Sequence, residues 1–229
     1  MKKITGIVAL VAAGMFVQAQ TDMTTTTTTT TTRTSSGKTI GFQIRAGVNF
    51  QNLNGKIAGN DADGDIMTSF HAGVELPIMI APEFYIQPGA LYSMKGAVDK
   101  DNSDSKTQIS YIEIPVNFVY KPMLGTGNLI LGVGPYMGIA IGGKVKDPGG
   151  DEDINFEDEI TPLQFLADPY YRRLDFGGNL LFGYQFGHFL IQGNAQLGMT
   201  NILPEIQGTD KDDYKLKNTG FGISIGYTL

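Results

Sequence analysis

His71 and His188 are the only two histidines in this 229-residue chain, and there is no cysteine. They are the natural candidates for proton transfer near neutral pH, which requires a histidine beside a nucleophile or a bound water, oriented by an acid. His71 falls within an alternating apolar/polar segment and His188 within the two-residue stretch Gly187-His188, and neither has such partners at a useful spacing. Both read as structural, and no catalytic residue is assigned. The absence of cysteine removes disulfides, thiolate metal sites, a cysteine nucleophile and a lipidated cysteine anchor. Asn60-Asp61-Ala62-Asp63-Gly64-Asp65 is half of a calcium loop. Gly59 occupies the first ligand position and no bidentate Glu follows at the required distance, so it reads as a polar turn. Asp151-Glu152-Asp153 with Glu157-Asp158-Glu159 could collect divalent cations, but an acidic run of this kind is usually a solvated loop. No metal site and no cofactor is assigned.

Five further charges, Arg45, Glu75, Lys95, Glu113 and Asp175, interrupt segments that otherwise alternate with a period of two. That period places successive side chains on opposite faces of a strand. Around Glu113, residues Ile112, Ile114, Val116, Phe118 and Tyr120 share one face, and Tyr111, Glu113, Pro115, Asn117 and Val119 the other. After a break at Lys121-Pro122, Leu129, Leu131, Val133, Pro135, Met137, Ile139 and Ile141 oppose a row of glycines, Ile130, Tyr136 and Ala140. The same logic gives strands from Phe42 to Phe50, Ser69 to Ile78, Phe84 to Gly96, Leu174 to Phe186, Phe189 to Met199 and Phe221 to Leu229. These eight strands carry one apolar face each, and all five charges fall on the other.

The connections alternate in length. Ile80 to Pro82, Lys121 to Thr126 and Gly187-His188 are short, whereas Gln51 to Met67, Ala97 to Gln108, Lys144 to Tyr170 and Ile202 to Leu216 are long and mostly polar. No helical period competes. Phe42, Phe84, Tyr120, Phe186, Phe189 and Tyr227 all lie on apolar faces near the short-turn ends, as an interfacial aromatic girdle does. The expected fold is therefore all-β, an eight-stranded antiparallel up-and-down transmembrane β-barrel with the apolar rows facing lipid. Arg45, Glu75, Lys95, Glu113 and Asp175 then form a polar network in the barrel interior. Uncompensated buried charge is costly, so they should pair with opposite sign, Arg45 with Glu75 first and Lys95 with Glu113 second. A net charge of −6 and a pI near 4.9 argue against nucleic acid as a partner.

At the N-terminus, Met1-Lys2-Lys3, an apolar run and Val17-Gln18-Ala19 fit a secretory signal peptide over residues 1–19. The threonine-rich stretch that follows has almost nothing to bury and is expected to be a disordered tail over residues 20–40, on the periplasmic side. The barrel domain then covers residues 41–229.

Tyr111-Ile112-Glu113-Ile114-Pro115, Gly132-Val133-Gly134-Pro135-Tyr136 and Arg173-Leu174-Asp175-Phe176-Gly177 together resemble the small bacterial outer-membrane β-barrel family that includes PorT-like proteins. The threonine tail and the non-aromatic terminal Leu229 depart from that pattern. The resemblance implies residence in the outer membrane of a Gram-negative cell and insertion by the outer-membrane assembly machinery. Some members are linked to type IX protein secretion, and many have no defined activity. The expected role is non-enzymatic. The barrel would be a structural or interaction protein with a side-chain-filled interior, contacting outer-membrane lipid along its wall and an unidentified protein partner through its outer loops. A secretion accessory, a small porin-like channel and an enzyme acting at the rim are the alternatives.

Overall fold

A computed structural model describes residues 41–229. The signal peptide and the threonine tail expected over residues 1–19 and 20–40 lie outside the described residues. Eight long strands make the frame: β1 (Gln43–Ile57), β2 (Met67–Glu75), β3 (Phe84–Val98), β4 (Lys106–Tyr120), β5 (Gly127–Asp147), β6 (Leu174–Phe186), β7 (Phe189–Gly198) and β8 (Lys215–Thr228). Each pairs antiparallel with its neighbours in chain order, and β8 returns to pair with β1 from Gln43↔Thr228 to Lys56↔Lys215. The sheet thus closes and leaves no edge among its eight principal strands.

The two faces of this sheet are inverted relative to a water-soluble barrel. Ile44, Phe70, Val133, Phe182, Ile191 and Ile225 stand exposed on the outside, while Gln43, Gln51, Gln87, Lys95, Asn117, Asp175 and Gln192 are buried within. An exposed apolar surface that surrounds the molecule requires an apolar solvent, because soluble monomers rarely expose contiguous patches beyond a few hundred Å². At the short-turn end the aromatics meet in register. Phe84 stacks on Tyr120 at 4.8 Å between centroids, and Phe189 lies 6.1 Å from Phe186 and 5.1 Å from Tyr227.

Several strands run further than the apolar alternation indicates. β1 continues seven residues past Phe50 to Ile57, β4 begins at Lys106, β5 reaches Asp147 and β8 begins at Lys215. These extensions lie at the long-loop end. Past the apolar band the outward residues need no longer be apolar, so the period fades while the backbone ladder continues. Gly96, at φ +149°, makes one such extension possible: a Cβ there would collide with the carbonyl of Thr107 on β4. β2 ends at Glu75, before Leu76-Pro77, and Ile78–Ala81 resumes pairing with β3.

The long connections are themselves ordered by pairing. Asn60–Asp61 folds back on β1 and Gly150–Asp153 on β5. Asn155–Phe156 runs parallel to Tyr170–Tyr171, and Glu159–Ile160 parallel to Glu205–Ile206. Between these ladders sits α1 (Pro162–Ala167), a short helix inside a connection that the sequence shows only as long and mostly polar. Six residues are too few to show a period, but the helix is capped. Thr161 accepts from Gln164 N, the Gln164 side chain accepts from Thr161 N at 2.9 Å, and proline opens the first turn.

Candidate functional site

The interior of the barrel is layered. At the short-turn end, Val119, Ile130, Leu181 and Leu190 close the bore with an apolar cluster, with Tyr85 packed against it. At the long-loop end, Leu53, Ala97, Ile109, Tyr111, Ala140 and Leu216 from the strands meet Ile154, Ile202 and Leu203 from the loops. The five buried charges of the strands, Arg45, Glu75, Lys95, Glu113 and Asp175, lie between these two seals.

The lower charged group centres on Glu75. Arg45 Nε lies 3.1 Å from Glu75 Oε2, an ion pair without hydrogen-bond alignment, and the Gln43 and Gln87 side-chain amides each donate to the same oxygen at 2.9 Å. The arrangement follows from register, because Gln43 stands directly opposite Glu75 and Arg45 is two residues further up the same face of β1. Arg45 Nη1 approaches Ser224 Oγ at 3.5 Å on its other side.

The upper group centres on Lys95, which is completely buried. Its Nζ lies 2.9 Å from Glu113 Oε2 and 3.3 Å from Asp175 Oδ2, and 3.9 Å from the centroid of the Tyr136 ring. Asp175 Oδ2 also accepts from Asn218 Nδ2 at 3.0 Å and from the Tyr136 hydroxyl at 3.2 Å. Glu113 Oε1 accepts from Gln196 Nε2 at 2.6 Å. Five strands, β3, β4, β5, β6 and β8, converge here on side chains that share no sequence neighbourhood, with β7 contributing Gln196.

Between the groups, His71 Nδ1 lies 2.8 Å from Asn49 Oδ1, so that nitrogen carries the proton, and Asn49 Nδ2 donates to Ser93 at 3.2 Å. A cavity of about 10 Å³ borders Arg45, His71, Glu113 and Asn194. That is about the space of one water molecule, not of a substrate or a solute path.

The five charges read from the sequence are therefore all interior and lie in two groups. Alternation alone did not single out Tyr136, Asn218, Gln196, Gln43 and Gln87, although each falls on an inward row. His188 sits in its turn with Nδ1 2.7 Å from the carbonyl of Thr228. Among the described residues no cluster of three His, Asp or Glu side chains is arranged to hold a metal ion. In the half calcium loop, Asp63 accepts from Gly55 N at 3.3 Å and Asp65 bridges to Val98 through its backbone. The acidic run is divided between ladders, with Asp151 and Asp153 opposite Lys146 and Lys144 and Glu159 opposite Glu205.

The sequence that builds this closed, inverted sheet matches a known family, described as outer membrane protein beta-barrel domain, over residues 14–203. The chain belongs to the outer membrane protein beta-barrel domain family. Members of this family reside in the outer membrane, and this chain is an integral outer-membrane β-barrel protein. No curated protein matches it. Two solved structures of Ail, the attachment invasion locus protein of Yersinia pestis, resemble it in fold. The first is 12% identical, covers 82% of this chain and 99% of its own and has a TM-score of 0.40. The second, in complex with the heparin analogue sucrose octasulfate, is 13% identical with the same coverage and a TM-score of 0.39. Neisserial surface protein A is 9% identical, covers 82% of this chain and 97% of its own, and has a TM-score of 0.44.

The loops form the second notable surface of this outer-membrane barrel. α1 is pinned by Phe165, whose ring meets Tyr214 edge-on at 5.5 Å, and by buried Ile160 just before the cap. Leu163 and Leu166 project from the opposite face, 80% and 82% exposed. At the base of this crown, Glu205 accepts from Arg172 Nη2 at 3.1 Å and meets Lys211 Nζ at 2.7 Å, and these two cations hold its carboxyl below the usual carboxylate range.

Proposed function

We propose that the protein is a closed, non-enzymatic scaffold in the outer membrane that works through its long-loop end as a structural or interaction protein. The observation that carries this reading is the sealed bore: apolar clusters at both ends enclose paired charges, with a cavity of about 10 Å³ at mid-height. An eight-stranded barrel is about filled by its own side chains, so the surface left for function is the crown of ordered loops. The long loops face the cell exterior, and the short turns and the two ends of the described barrel, Gly41 and Leu229, face the periplasm, as in other even-stranded outer-membrane barrels. The interior charges act as a structural plug. On this reading the outer-membrane assembly machinery inserts the barrel, which is in keeping with its closed ring of antiparallel strands.

A role in secretion is a more specific form of the same reading, supported by the resemblance of the Tyr111–Pro115, Gly132–Tyr136 and Arg173–Gly177 segments to PorT-like proteins. Planar-bilayer recording on the refolded protein should show no stepwise conductance, and protease added to intact cells should nick the connection between β5 and β6. Steady single-channel current would replace the scaffold with a pore, and cleavage seen only after the outer membrane is opened would invert the topology. If secreted cargo is lost when the gene is deleted, the secretion role is supported; unchanged secretion leaves the general interaction role.

A further inference from the structure

Six of the lysines share one arrangement. On the outward face of β4 and β5, Lys106 stands directly opposite Lys146, and two residues nearer the apolar band Gln108 stands opposite Lys144. On the outward face of β1 and β8, Lys56 stands directly opposite Lys215, and two residues nearer the band Asn54 stands opposite Lys217. The pattern is the same: two opposed lysines, then an amide beside a third. Two strands separate the patches in each direction around the ring, so they lie on opposite sides of the barrel.

Like charges directly opposite on a sheet face are destabilising, and here they occur twice at the same level. On β5 the placement depends on a bulge. The register shifts between Ser110 and Tyr111, so that Ile141 is an extra residue and the inward row passes from Ala140 to Gly143. Without that shift Lys144 and Lys146 would point into the barrel and Val145 out. With it, Val145 packs against the upper apolar cluster and both lysines face outward beside Lys106. Bulges that re-aim side chains in this way are features of a fold and not accidents of it.

The level matches a lipid headgroup. At about 3.3 Å per residue on strands tilted by roughly 40°, Lys144 and Lys217 stand about 8 and 10 Å beyond Ile141 and Phe221, the last large lipid-facing residues below them. The headgroup zone adds roughly 5–8 Å to each side of the hydrocarbon core, and a lysine stem reaches several ångström along such a surface. Carboxylates accompany the patches without cancelling them. Asp153 lies 3.6 Å from Lys144 Nζ, Asp212 pairs with Lys215, and Asp61 and Asp151 stand opposite Lys56 and Lys146. Among the described residues no carboxylate lies within ion-pair distance of Lys106 or Lys217. Beyond the patches, acids outnumber cations four to two from Ile154 to Arg173. An anion approaching from solution must pass that acidic crown, whereas a lipid phosphate arrives laterally from beneath it.

We propose that the two lysine patches are binding sites for the phosphate groups of outer-leaflet lipid headgroups, one lipid on each side of the barrel. The site on β4 and β5 uses Lys106, Lys144 and Lys146 with Gln108. The site on β1 and β8 uses Lys56, Lys215 and Lys217 with Asn54. The assignment to the outer leaflet rests on the orientation proposed above, but binding in detergent has no sidedness, so the two can fail separately.

The test is native mass spectrometry of the full chain refolded in neutral detergent, with diphosphorylated lipid A, the same lipid stripped of phosphate, or inorganic phosphate. The wild type should retain up to two phosphorylated lipids and none of the stripped form. Each of the pairs K106Q/K146Q and K56Q/K215Q should lose one, with roughly thirtyfold weaker binding at the altered patch, as expected for two lysines near an anionic surface. K106R/K146R, which keeps the charge, should retain both, which separates loss of charge from damage to the fold. Equal retention of the stripped lipid, or unchanged retention by the combined four-lysine Gln variant, would overturn the proposal. Displacement of the lipid by an equal concentration of inorganic phosphate would make these free-anion sites and overturn the assignment to lipid.

Discussion

Lys95 and Glu205 sit at the centres of charge clusters that are mirror images in composition. Lys95 lies between two carboxylates, Glu113 and Asp175, and Glu205 lies between two cations, Arg172 and Lys211, at similar distances of 2.7 to 3.3 Å. They differ in surroundings. Lys95 is buried between two apolar seals, whereas the side chain of Glu205 is 41% exposed on the loop crown. Screening by water and salt makes an exposed pair worth little, while a buried charge left without its partner is severely destabilising. Position, not the number of ion pairs, therefore decides which cluster the barrel depends on.

The sharpest way to break this comparison is to remove the central charge of the buried cluster. Lys95→Met leaves Glu113 and Asp175 facing each other without a cation, and should cost about 3–5 kcal/mol. The measurement is the temperature at which the folded, faster-migrating species on an SDS gel converts to the unfolded one, and this variant should convert well below the wild type or fail to refold. Adding Glu113→Gln and Asp175→Asn to Lys95→Met should restore most of the loss, because the cluster would then carry no net charge. A Lys95→Met barrel as heat-resistant as the wild type would show that the interior tolerates free charge.

Next in size is Glu75→Gln, in the lower group. The amide keeps an acceptor for Gln43 or Gln87 but withdraws the negative charge 3.1 Å from Arg45. A loss of about 1–3 kcal/mol is expected, the range for a charged group deprived of one partner while others remain. Conductance should stay near zero before and after. Unchanged stability together with an altered current would mean that these charges line a path and do not fill a plug.

Much of the buried cluster and little of the exposed one could be read in the sequence, for a physical reason. Lipid on one side of a strand enforces alternation, so Glu113 within Ile112-Glu113-Ile114 can only point inward, and the same holds for Arg45, Glu75, Lys95 and Asp175. The choice of partner is harder. Arg45 and Glu75 lie on adjacent strands at nearby register positions, whereas Lys95 on β3 reaches Asp175 on β6, three strands away around the ring. That contact depends on how the closed sheet staggers its strands, which no local pattern encodes. Beyond the apolar band the constraint vanishes, so Asn52 to Ile57, Gly142 to Asp147 and Lys215 to Thr219 resemble loop although they are strand. The crown is held by two-residue ladders and a six-residue helix, too short for any period, although Thr161-Pro162 with Gln164 is a legible cap.

The smallest expected effect sharpens the comparison from the exposed side. Glu205→Gln should leave the gel-shift temperature unchanged, because Lys211 is solvated and Arg172 partly so, and other contacts hold the crown. Its effect should be local: the parallel ladder in which Gln207 N donates to Ile160 O at 2.9 Å should loosen, read as faster amide exchange at Gln207. The pH dependence has a definite sign. Lys211 and then Arg172 hold the Glu205 carboxyl below its ordinary value of 4.5. A group whose folded pKa is depressed contributes fully above its unfolded pKa, and that contribution is lost as pH falls through the folded one. The wild type should therefore approach the exchange rate of Glu205→Gln only on acidification below 4.5, whereas the variant shows no such dependence through this group. Salt added at neutral pH should narrow the same gap, because the pair lies within reach of screening ions. A Glu205→Gln barrel that unfolded at a markedly lower temperature would place the crown's ion pairs on a par with those inside, and the argument from burial would fail.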